Sequence, residues 1–69
     1  MSKYDYETSK YIASQDYPFY ALIMAALRKA DSNNAARLQQ MWPDTCAELQ
    51  ARYNAPGGWL PGDPPSTSA

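Results

Sequence analysis

Between Pro18 and Asp31 the chain reads PFYALIMAALRKAD, and every residue before Arg28 is apolar or aromatic. No single face of a helix accommodates them all. Phe19, Leu22, Ile23, Ala26, Leu27 and Ala30 recur at the i, i+3, i+4, i+7 spacing of a core-facing stripe. The other side carries Tyr20 and Met24 one turn apart, with Ala21 and Ala25 beside them. A helix apolar on two sides needs cover on both, and a chain of 69 residues has little left to supply it. The segment is therefore expected to be the centre of a self-associating or partner-binding module, with no catalytic chemistry of its own.

Size sharpens that expectation. A domain of about 60 residues buries only about 60% of the surface its unfolded chain exposes, so small scaffolds rely on disulfides, a metal or oligomerisation. One cysteine and no histidine leave oligomerisation as the supported route. A formal charge of −1 and a pI near 5.0 argue against an electrostatic grip on nucleic acid or on an anionic membrane. The N-terminal MSKYDYETSK lacks the apolar region of a signal peptide, and the run Phe19 to Leu27 is far shorter than the roughly 20 residues of a membrane span. The lone Cys46 fits a reducing cytosol.

Valine is absent and alanine is the commonest residue, which favours helices over strands. The expected fold is all-α: a compact bundle of three to four short helices, about 4–14, 18–30, 33–41 and 43–53, in a domain spanning 1–60. Pro18 is placed in the first turn of the second helix, where its missing amide hydrogen costs nothing. The run Asp31 to Asn34 reads as a tight turn and N-cap, Pro43 separates the third and fourth helices, and Asn54 is assigned a left-handed cap. From Ala55 onward lie four of the six prolines and all three glycines. This Pro/Gly-rich tail cannot continue as helix. Trp59 and Leu60 are expected to fold back on the helices, and residues 61–69 to be disordered.

Candidates for chemistry are few. Cys46 has no histidine to activate it and reads as a core cysteine. The acidic residues Asp16, Asp31, Asp44, Glu48 and Asp63 match no metal-binding loop and read as caps, first-turn anions and solvated surface, so no metal and no cofactor are expected. The Pro56-Gly57-Gly58 run lacks the lysine and preceding strand of a phosphate loop and reads as a turn. Arg28, Arg37 and Arg52 fall on three different helices. Were they to converge about an oligomer axis they could hold an anion. Nine aromatic residues exceed what so small a core can absorb, so three or four are expected to line an interface or groove.

The strings FYALIMAALRKAD (Phe19 to Asp31) and LQARYNAPGG (Leu49 to Gly58), with Trp42 and Pro43 between them, resemble small helical proteins of tailed bacteriophages and prophages. The resemblance covers about residues 4 to 60. It departs at Cys46 and Leu27, where an aromatic residue and a methionine are expected, and it carries no catalytic or binding residues to transfer. It implies a phage accessory protein acting in the bacterial cytoplasm. Small phage proteins of this format block host or defence machinery by binding it, and some helical oligomers among them sequester nucleotide signals.

The first functional expectation is thus a non-enzymatic interaction protein, a homo-oligomer that inhibits or sequesters a bacterial protein target. Its candidate binding or interface residues are Tyr20, Met24, Arg28, Trp42, Arg52, Tyr53 and Trp59. On this reading Met24→Lys disrupts assembly more than folding. Two alternatives stay open: a sponge that holds a small anionic or cyclic nucleotide between subunits, with aromatics on the base and arginines on phosphate, and a structural protein of the virion or its assembly.

Overall fold

In a computed structural model that describes residues 1–64, four helices follow in order: α1 (Lys3–Ala13), α2 (Phe19–Lys29), α3 (Ser32–Met41) and α4 (Pro43–Asn54). A 3-10 turn at Pro56–Gly58 closes the series. The protein is all-α, and each helix end lies within one residue of the position expected from sequence. Of the stretch expected to be disordered, 65–69 lies outside the described residues.

The helix ends have local causes. At α1 the Asp5 N–H donates to the Ser2 hydroxyl oxygen at 3.1 Å, and at α3 the Asn34 N–H donates to the Asp31 carboxylate at 2.8 Å, each satisfying an orphan donor. Pro18 sits just before α2 and not in its first turn: its backbone is extended (φ −63°, ψ 149°), and its carbonyl accepts from the Leu22 N–H at 3.2 Å. Trp42 serves two helices. Forced out of helical dihedrals (φ −131°, ψ 62°) by Pro43, it donates its N–H to Leu38 at 2.8 Å and accepts from Cys46 N–H at 3.0 Å. The left-handed cap expected at Asn54 is absent, because Asn54 stays in the helix and Ala55 leaves it extended (φ −94°, ψ 144°), as a residue before proline prefers. The left-handed backbone falls instead on Gly57 (φ +63°), which tolerates it without a Cβ clash.

Helices α2, α3 and α4 pack on one another, whereas α1 packs on none of the other elements. The resulting shape is open. The Cα radius of gyration is 14.3 Å, against about 11 Å for a compact domain of this length. Its accessible surface of 6052 Å² compares with about 4,300 Å² for a folded monomer of the same mass. Among the described residues only Cys46, 8% exposed, is buried. It lies beside Leu27 of α2 and Ala35 of α3, in keeping with the core reading of that cysteine. The stripe expected to face the core divides: Ile23, Leu27 and Ala30 are half-buried, Ala26 is exposed, and Phe19 is 56% exposed. Eight of the nine aromatics are exposed, and Trp42 alone is half-buried.

Candidate functional site

The two apolar sides of α2 open onto two different clefts. On one side Tyr20 and Met24 meet Met41, Trp42 and Pro43 around a cleft of about 440 Å³, with Asp44 and Glu48 among its walls. Phe19 braces this cleft, its ring edge-to-face with Trp42 at 6.2 Å and with Tyr20 at 5.3 Å between centroids. Three of the seven residues singled out from sequence, Tyr20, Met24 and Trp42, are thus gathered in one place. A fourth and fifth pair elsewhere: the Arg28 guanidinium lies 5.8 Å from the centre of the Tyr53 ring, within cation–π range.

Arg52 and Trp59 belong to a fastening of the tail. Arg52 donates from Nη1 to Asp63 Oδ2 at 2.7 Å and from Nη2 to Asp63 Oδ1 at 2.9 Å, a bidentate pair. Nη1 also donates to the Gly58 carbonyl at 2.8 Å, and Nε donates to Glu48 Oε2 at 2.9 Å. The Leu60 N–H completes the carboxylate's set, donating to Asp63 Oδ2 at 2.9 Å. Leu60 is half-buried by this fold-back, while Trp59, 49% exposed, lies over Gly57, where an added Cβ would stand 3.1 Å from the indole. Four of the five Arg52 N–H donors are therefore engaged within the chain, which takes Arg52 out of an anion site shared with Arg28 and Arg37.

Asp63 was expected in a disordered segment, and its role is the main feature that sequence reasoning missed. A signal was present. Leu60-Pro61-Gly62-Asp63 has proline second and glycine third, the type II β-turn pattern, and the Asp63 N–H donates back to the Leu60 carbonyl at 3.1 Å with Gly62 at φ +94°. The guanidinium of Arg52, then the Leu60 N–H, hold the Asp63 carboxyl at about 2, below its ordinary 3.8, and the pairing pushes Arg52 upward. A depressed carboxylate stabilises the fold-back fully above the unfolded value, and the contribution is lost as pH falls through the folded value. Trp59 emission should accordingly be constant above pH 4 and shift toward that of a solvated indole as pH drops from about 4 to about 2. Asp63→Asn should abolish that transition; an unchanged acid transition in the variant would assign it to another group.

The second cleft is larger, about 740 Å³, was not singled out from sequence, and takes Ala21 and Ala25, which were expected on the Tyr20 and Met24 side. Ser9, Ile12 and Ala13 of α1 form one wall, Ala21, Leu22, Ala25, Ala26 and Lys29 of α2 the other, and Tyr17 of the connecting segment also lines it. Leu22 and Ala26, expected to face the core, line this open cleft instead. The cause is the detachment of α1, which leaves that side of α2 uncovered.

Among the described residues no group of three or more cysteine or carboxylate side chains is gathered as a metal site, and no helix is long and apolar enough to cross a membrane. Comparison with protein-family models, with curated proteins and with solved structures finds no match.

Proposed function

We propose that this chain is a non-enzymatic interaction protein that self-associates through α2 and acts by binding, and so inhibiting or sequestering, a protein of a bacterial host or its defences. The observation that carries this reading is that α2, with Arg28 and Lys29 its only charged residues, has no buried residue. Leu22, Ile23, Met24 and Leu27 are only half-buried and Phe19 and Tyr20 are more than half exposed, so apolar surface worth about 25 cal/mol per Å² remains for a partner to cover. The Tyr20, Met24, Met41 and Trp42 cleft is the surface assigned to the target. Aromatic rings concentrate binding energy, methionine adapts to varied shapes, and Asp44 favours a target segment with a basic residue beside its apolar anchor, Glu48 being paired with Arg52. The bacterial setting comes from the resemblance to phage proteins.

The nucleotide sponge draws support from the Arg28–Tyr53 pair, but Arg52 is engaged by Asp63, Glu48 and Gly58, which favours protein binding. A tagged chain and its Tyr20→Lys variant, used as bait in bacterial lysate, test the reading. Tyr20 is exposed, so the variant should stay folded and lose at most the ring pair with Phe19, about 0.5–1.5 kcal/mol, and a protein retained by the natural chain should be lost at least about tenfold with the variant. Equal retention by both overturns the assignment of the cleft. A panel of nucleotides should leave the melting temperature unmoved, since only a ligand of the folded state raises it. A rise with one of them transfers the function to the sponge.

A further inference from the structure

Helix α1 poses a physical problem. It has 11 residues and packs on no other element, yet isolated helices shorter than about 12–15 residues are marginal in water. Its exposed side chains Ile12 and Ala13 face an open cleft whose opposite wall is made by the exposed Ala21, Ala25 and Ala26 and the half-buried Leu22. We propose that this cleft is closed by the same two helices of a second copy of the chain, in an isologous dimer in which α1 and α2 of each subunit embrace those of the other. The inference rests on the self-association proposed above and gives it a seat, the α1/α2 cleft, that differs from the Tyr20 and Met24 side expected from sequence.

Three observations select a second copy as the occupant. The surface of the single chain exceeds that of a folded monomer of its mass by more than the about 800 Å² that each partner hides in a standard interface. The patch is continuous across two helices joined by a short linker, so a two-fold axis lets one surface cover its own copy, as isologous contacts require. A net charge of −1 sets little repulsion between copies, and Lys29, which is exposed, is the one charged residue lining the cleft. Ala21 and Ala25, one turn apart, let the helices approach closely. The dimer leaves the Tyr20, Met24 and Trp42 cleft free for the target, so both surfaces of α2 are used at once.

Sedimentation equilibrium of the full chain at micromolar concentration tests this directly. The natural chain should sediment at twice its 7.7 kDa mass. Ala25→Glu, at an exposed position in a helix that accepts glutamate well, should raise the dissociation constant at least about tenfold, because the carboxylate would be carried into an apolar contact with Lys29, one turn on, as its one partner. Ile12→Lys, on the facing wall, should act alike. In both variants α1 should lose its partner and its helicity, lowering the far-UV helical signal while α2 to α4 remain. Met24→Lys should leave the dimer intact. A natural chain that stays monomeric overturns both the dimer and the self-association reading. Assembly that survives Ala25→Glu and Ile12→Lys but fails with Met24→Lys overturns the α1/α2 seat alone.

Discussion

Replacing Cys46 by aspartate should unfold the helical cluster. The position is buried where α4 meets α2 and α3, beside Leu27 and Ala35, and no cationic side chain lines that cleft to pair with a carboxylate. A carboxyl placed there must stay neutral or be left unpaired, either of which costs about 3 kcal/mol or more. Small domains have about 0.05–0.15 kcal/mol of stability per residue, so that loss takes most of what a chain of this size has. The melting temperature should fall by about 12 °C or more, read by far-UV circular dichroism. Cys46→Ser keeps the volume and should cost about 1 kcal/mol, with target binding unchanged. Should Cys46→Asp melt within a degree or two of the natural chain, the packing of α4 on α2 and α3 is wrong. Loss of the biological effect in a folded Cys46→Ser chain would place thiol chemistry in the function.

Trp42→Ala should have the next largest effect, by a different route. Trp42 is the half-buried aromatic, it joins α3 to α4 through its backbone, and its ring is edge-to-face with Phe19. Fully buried aromatics cost about 3–5 kcal/mol when truncated, and a half-buried one about 2 kcal/mol, including about 0.5–1.5 kcal/mol for the ring pair. The melting temperature should drop by about 8–16 °C, and Phe at position 42 should recover most of it by keeping the edge contact. Because the ring also forms a wall of the 440 Å³ cleft, the Phe variant separates the two roles: it should fold normally and bind the target less tightly. A Trp42→Ala chain as stable as the natural one would remove the ring from the packing scheme.

The legibility of this protein in its sequence follows the range of the interactions. Ser2 and Asp31 cap helices through side chains reaching three residues ahead, and Pro43 bends Trp42 next door to it, so the elements and their ends are written within windows of about four residues. The same kind of reasoning failed at Asn54, where Pro56 acts through Ala55 and moves the left-handed residue to Gly57. It named Tyr20, Met24 and Trp42 among seven candidates without placing them together: Trp42, between α3 and α4, reaches the Tyr20 and Met24 cleft only through the packing of those helices on α2, and no local signal separated these three from Arg52, which the fold uses to hold the tail.

The amino-acid sequence by itself determined that the chain is helical, where its helices begin and end, that Cys46 is a core residue, and that α2 is apolar on two sides. Only the tertiary structure decided which side meets which neighbour: that α1 stands away from α2 and leaves Leu22 and Ala26 in an open cleft, and that Arg52 reaches Asp63 across eleven residues. A hydrophobic pattern states that a surface must be covered without naming its cover, and a carboxylate eleven residues away meets a guanidinium only after a turn has brought the chain back.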